Sequence, residues 1–242
     1  MASFQSRSRG NEVFSPAVFN FDHIEPHVQT HLKNVYSCLS IGMLTAALGA
    51  YTHFYTGLGQ WYLMTTLASL GLMAWLATTR HSKETTSTRM GIFTGFTFLS
   101  GISLGPLLEA VIRVDPSIIS TALAGTAVVF ISFTLASLLS RNRTFLYMGG
   151  FLMSGLMWLT LMGFLNIFFG SRMIFDMYIY GILALFSCFV LYDTQLIVEK
   201  RRRGDDDFIW QSVDLFLDAI QIFRALLIIL TNKEDNKKRR RD

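Results

Sequence analysis

Hydrophobic residues fall into seven long blocks along this 242-residue chain, with short polar punctuation between them. The blocks cover approximately residues 35–55, 61–79, 90–112, 117–140, 145–169, 173–198 and 208–230. Each is close to the ~20 residues that cross ~30 Å of hydrocarbon at 1.5 Å per residue. Apolar residues run continuously within a block instead of recurring at amphipathic intervals, which predicts membrane-spanning helices. The seventh block, FIWQSVDLFLDAIQIFRALLIIL, departs from that pattern. At about 100° per residue, Gln211, Asp214, Asp218 and Gln221 share an arc of about 80°. The rest of its circumference is Leu, Ile, Phe, Val and Ala, interrupted by Arg224. A polar stripe on an apolar helix is expected to face the bundle interior or a water-filled cavity. A surface amphipathic helix, with its carboxylates at headgroup level, is the competing reading.

The short connections predict antiparallel neighbours and leave no room for a second folded domain. Gly105–Pro106 in the third block predicts a kink. The expected organisation is a cytosolic N-terminal arm at 1–34, a seven-helix membrane domain at 35–231 and a basic tail at 232–242 without fixed structure. With the N-terminus cytosolic, the arm and the cytosolic loops hold twelve Lys and Arg, against two on the other side. Seven full crossings put the six basic residues of the tail on the poorer side. The charge rule therefore favours an all-α bundle with six crossings around a central, partly re-entrant seventh helix, and a cytosolic C-terminus; because the rule mainly weighs early loops, a seventh full crossing is the competing reading. The one N-glycosylation sequon, Asn142-Arg143-Thr144, is placed on the cytosolic side and expected to carry no glycan.

Composition strengthens the membrane reading. Charged residues are only 16% and mean hydropathy is +0.40, where a soluble domain carries about 25% charge. The two cysteines, Cys38 and Cys188, lie inside apolar blocks and read as packing residues, not a disulfide framework. The polar first 34 residues contain no apolar core of a cleavable signal, so the first spanning helix is expected to direct insertion.

Ionisable groups at membrane depth are costly and mark ion or proton paths by default. Asp193 lies within about two turns of the cytosolic end of the sixth block, in LYDTQLIVEK. If the sixth and seventh helices are antiparallel neighbours, Asp193 and Asp218 reach similar depth. Two carboxylates in one low-dielectric site cannot both ionise cheaply, so the pair is expected to share a proton and act as a pH-sensitive gate. The plainer reading ties each acid to a backbone donor or an arginine. Glu109 and Arg113 stand at i, i+4 and are expected to pair at the interface. His23, His27 and His31 recur every four residues and read as a surface helix ahead of the first span, not a metal site. There is no P-loop, HExxH or Gly-x-Ser-x-Gly elbow, so no enzyme and no cofactor is expected. The basic tail suits anionic lipid; nucleic acid is not an expected partner.

The stretches HLKNVY, GPLLEAVIRVDPSIISTALAGTAVVF, RNRTFLYMGG, YDTQLIVEK and GDDDFIWQSVDLFLDAIQIF resemble the Bax inhibitor-1 family, the transmembrane Bax inhibitor motif proteins. The likeness runs from about Phe19 to the C-terminus and looks closest to the eukaryotic endoplasmic-reticulum branch. It implies a suppressor of apoptosis and ER stress acting as a pH-sensitive calcium leak in the ER membrane. Bcl-family regulators and other ER membrane proteins are the implied partners, with calcium ions and protons as cargo. The family's paired-aspartate sensor falls on Asp193 and Asp218, with Asp214 similar to a nearby acid of close relatives, and calcium is expected to pass near Asp193 and Asp218. Bacterial relatives carry a latching arginine near the end of the second helix, for which Arg80 stands by position. Rival readings are a proton-coupled calcium exchanger and a non-conducting regulator that binds other membrane proteins.

Overall fold

The computed structural model describes residues 24–56, 62–140 and 144–240, and all regular structure within them is helical. The helices are α1 (Pro26–Thr56), α2 (Tyr62–Thr78), α3 (Thr86–Ser103), α4 (Gly105–Val114), α5 (Ser117–Leu139), α6 (Gly149–Phe169), α7 (Arg172–Arg202) and α8 (Phe208–Arg239), with a 3₁₀ turn at Thr144–Met148 ahead of α6. Together α3 and α4 make one span of 29 residues, so eight helices give a seven-member bundle. Five of these spans are long and apolar enough to cross a membrane; α2 is a shorter apolar helix, and α8 is not among the five.

Local chemistry sets the boundaries. Proline suits the first turn of α1, where its missing N–H is not needed. The expected break in the third span falls at Leu104, just before Gly105 and Pro106; proline cannot supply the amide that would continue the helix. Gly170 ends α6 with φ +59°, a left-handed conformation that glycine adopts without a Cβ penalty. Asp207 caps α8, its Oδ1 accepting the Trp210 amide at 3.1 Å.

Helix α8 is the axis of the bundle and packs against α1, α3, α4, α5 and α7. The Phe216 ring lies edge-on to Phe93 and Phe96, with centroids 6.4 and 5.7 Å away. Where α1 crosses α3 the backbones nearly touch: a Cβ at Gly101 would collide with the Ala46 carbonyl, and one at Gly49 with that of Phe98. Small residues permit such approach between membrane helices, where packing replaces the hydrophobic effect as the driving force. A smaller core of Leu152, Leu159, Leu185 and Phe189 joins α6 to α7.

Two expectations need correction. Helix α1 starts at Pro26, so residues 26–34 of the supposed arm belong to the bundle, and His31 is buried in it instead of lying on a surface helix. The tail is helical to Arg239, not structureless. Helix α8 itself runs unbroken for 32 residues, about 48 Å at 1.5 Å per residue. One end of the bundle is marked by Arg202 against Glu25 and by Arg89 against Asp207. At the other end Lys238 donates to the Val114 carbonyl and Arg172 to Asn236 Oδ1. The N-terminus of α1 and the C-terminus of α8 therefore lie at opposite ends. The sequon residues Asn142 and Arg143, His23 and the arm to Val18 lie outside the described residues.

Candidate functional site

The aspartates meet where α7 and α8 run side by side. Asp193 and Asp218 face each other within hydrogen-bonding range, and the charge of Asp214, one turn before Asp218, reaches both. Asp218 is 3% exposed, while Asp193 and Asp214 are half-buried. The Oδ2 of Asp218 is enclosed and finds no hydrogen-bond partner among the described residues. Lys200, two turns along α7 from Asp193, is the cation whose charge reaches Asp193 and Asp214. The stripe predicted by helical arithmetic thus faces the interior of the bundle.

The polar seam continues toward the α8 N-terminus. Gln211 is buried, and its Oε1 lies 2.7 Å from His31 Nε2, which donates to it. The Gln211 amide nitrogen is enclosed without a partner among the described residues. Ser212 donates to the carbonyls of Val35 at 3.0 Å and Phe208 at 2.6 Å. Beside Asp193, Thr194 is completely buried next to Tyr36 and Thr134. His31 repeats with Val28, Val35 and Cys38 at i−3, i+4 and i+7, all of them buried, and that spacing was the signal for its burial.

Arg80 is exposed in the α2–α3 loop, and among the described residues no ion pair joins it to the aspartates. The buried arginine is Arg89, 2% exposed. It donates to the Thr79 carbonyl and, at 2.5 Å, to Asp207 Oδ2. His81 stands 3.6 Å from Asp207 and 3.8 Å from Asp206. These contacts tie the α2–α3 loop to the cap of α8. Arg89 shares a face with Ile92, Phe93 and Phe96, a pattern that marks it as a core-facing residue, where the loop count had treated it as a loop cation.

A second titratable group sits at the opposite end. Glu109 and Arg113 do pair, at 3.9 Å, yet the shorter contact of Glu109 is with buried His53, 2.9 Å from its Oε1. The His53 ring lies against Gly105, where any side chain would overlap it. Arg224, the cation of the seventh block, donates to Ser103 Oγ at 3.3 Å, beside the α3–α4 break. Among the described residues no three or more His, Cys, Asp or Glu side chains are arranged to hold a metal ion. Facing carboxyl groups within hydrogen-bonding range can share a proton between them.

Comparison with known proteins agrees with this architecture. The family described as "Inhibitor of apoptosis-promoting Bax1" matches residues 28–235. The "Probable Bax inhibitor 1" of Paralichthys olivaceus is 50% identical over 226 residues, covering 93% of this chain and 95% of that protein. The "Bax inhibitor 1" of Homo sapiens is 48% identical over 223 residues (92% and 94%), and that of Arabidopsis thaliana 39% identical over 244 residues (98% and 95%). The matched span runs from the first turn of α1 almost to the end of α8, so it takes in both buried partners, His31 and Arg89, as well as all three aspartates: the chain belongs to the Bax inhibitor 1 family.

Proposed function

We propose that this protein is a non-enzymatic, multi-pass protein of the endoplasmic-reticulum membrane that restrains apoptosis and ER stress by leaking calcium in a pH-dependent way. The observation that carries the reading is the facing pair Asp193 and Asp218 on the axis of the bundle, with one Asp218 oxygen enclosed and unpartnered. Carboxylates packed this way repel when both are ionised and bind one another through a shared proton otherwise. Protonation therefore changes the force between α7 and α8, and cation passage follows from it. Asp214 adds a third charge, and Lys200 is the cation placed to clamp the ionised state.

The sign of the response depends on which force holds the gate. If repulsion opens it, acid closes it; if a cation clamps ionised aspartates, acid releases them and opens it. The nearby charge of Lys200 favours the clamped version, with Lys200 in the role first given to Arg80. The test is flux through purified protein in liposomes. Asp218→Ala and Asp193→Asn should abolish the pH dependence of calcium leak while the protein still inserts. Lys200→Ala should reverse or flatten the response. Leak by Asp218→Ala that matches wild type at every pH ends the dyad mechanism. No flux at all favours a non-conducting regulator that acts by binding Bcl-family or other ER membrane proteins, and proton countertransport favours an exchanger.

The ends of α8 support seven full crossings, with a cytosolic N-terminus and a C-terminus on the other side. Protease added outside intact ER vesicles should then spare a tag on Asp242. Its removal would restore the cytosolic C-terminus that the charge count favoured.

A further inference from the structure

A cavity of about 340 Å³ lies between α1, α4, α5 and α8, apart from the aspartates. Its wall includes Ala47 and Ala50 of α1, Leu104 at the α3–α4 break, Leu123 of α5, and Ala219 and Phe223 of α8. The small side chains of α1 create the space. The opposite side of α1 is locked backbone-to-backbone on α3 at Gly49 and Gly101, so α1 cannot close the gap by sliding inward.

From the structure we infer that this cavity is a binding site for one acyl chain of a membrane phospholipid. Water has nothing to bond there: the only side-chain hydroxyls in the wall belong to Thr126, which is spent on the Ala122 carbonyl, and Tyr51 at the rim. A buried water needs two to four polar partners. An empty apolar cavity forfeits the dispersion contacts of its whole lining, and one of only ~150 Å³ already takes up benzene. At membrane depth the abundant apolar molecule is the lipid chain. The dimensions agree as well. From Met43 to Phe54 the cavity follows α1 for about 16 Å at 1.5 Å per residue, close to half of the ~30 Å hydrocarbon core, and so to one leaflet. At its outer end the hydroxyls of Tyr51 and Tyr55 are exposed and 3.0 Å apart, in the position of an aromatic belt that meets the ester and headgroup region. Ala219 and Phe223 lie within a turn and a half of Asp218, so the chain rests on the helix that carries the carboxylates. The site stands whether or not ions pass.

The experiment uses the full-length protein in detergent micelles titrated with phosphatidylcholine bearing a diazirine on one acyl chain. Adducts are mapped after irradiation. Labelling of Ala47, Leu123 and Phe223 should saturate as probe fraction rises, while labelling of Trp158 and Phe168 on the exposed face of α6 rises in proportion. Ala47→Trp and Ile119→Trp, each filling the cavity from a different helix, should cut cavity adducts at least fivefold and leave those on α6 unchanged. Proportional labelling at both places in the wild-type protein, or cavity adducts undiminished in both variants, overturns the site.

Discussion

Helices α6 and α8 invert the rule learned from water-soluble proteins. The α6 sequence, GGFLMSGLMWLTLMGFLNIFF, has no charged residue, yet only Leu152 and Leu159 are buried in it. The α8 sequence carries Asp214, Asp218, Arg224 and two glutamines, yet it has twelve buried residues and lies at the centre. In water the more apolar helix goes inside. In lipid there is no such drive, because a hydrocarbon tail solvates leucine as well as a neighbouring helix does. What must be hidden is the polar helix, since carboxylates and amides find partners only inside the bundle. Hydrophobicity here measures contact with lipid, and polarity measures contact with protein.

The largest effect that tests this contrast comes from trading one aromatic ring in each helix. Phe216→Ala removes a fully buried ring held between Phe93 and Phe96 and should cost about 3–5 kcal/mol, read as unfolding in mixed micelles. Phe164→Ala, on a residue 57% exposed, should stay within about 0.5 kcal/mol. Equal costs would mean that α6 is covered by protein and not lipid.

Next is the buried cation. Arg89→Ala leaves Asp207 and the Thr79 carbonyl without their donor. A fully buried pair broken this way costs ~3–5 kcal/mol; because Asp207 is partly exposed and regains water, about 2–3 kcal/mol is expected. Arg80→Ala, at an exposed position, should cost under about 0.5 kcal/mol. A larger loss at Arg80 than at Arg89 would reverse their assigned places.

Glycines give a smaller and opposite-signed pair. Gly101→Ala forces a Cβ onto the Ala46 backbone and should destabilise by about 1–3 kcal/mol. Gly150→Ala in α6 meets nothing within 4 Å, so helix propensity alone acts and should stabilise by about 0.5–1 kcal/mol. Thermal unfolding in one detergent decides both signs.

The smallest effect is a pH dependence at the bundle end. Glu25 is held below its ordinary value of 4.5 by hydrogen bonding to its own backbone amide and then by Arg202, 3.1 Å away. Its contribution is thus present above about pH 4.5 and fades as pH falls through the lower folded-state value. Glu25→Gln should remove that part of the acid slope. Between Gly149 and Phe169 α6 has no titratable group to supply one. An unchanged slope would show that the ion pair does not persist in solution.

The sequence revealed the spans well because hydropathy in a membrane protein is written in uninterrupted blocks, and Gly105–Pro106 announced its own break. The stripe Gln211–Asp214–Asp218 also pointed inward by angle alone. His31 and Arg89 were hidden because each looks like a solvated residue just outside an apolar block. Only the spacing of their apolar neighbours shows which way they face. His53 was invisible for another reason: its partner Glu109 lies 56 residues away, a distance that no helical periodicity bridges. The unbroken course of α8 was obscured by the basic tail, whose charge argued for a side of the membrane and said nothing about the helix leading to it.

The central position of α8 also governs how the protein is made. Among the described residues the axial helix follows every other helix, and synthesis proceeds at about 5–20 residues per second. For the several seconds before α8 emerges, six finished spans must wait around a vacant slot, with Asp193, His31 and Arg89 facing it and none of their α8 partners yet made. Until α8 arrives, the nascent bundle is a polar-lined cup whose buried groups await the partners that α8 brings.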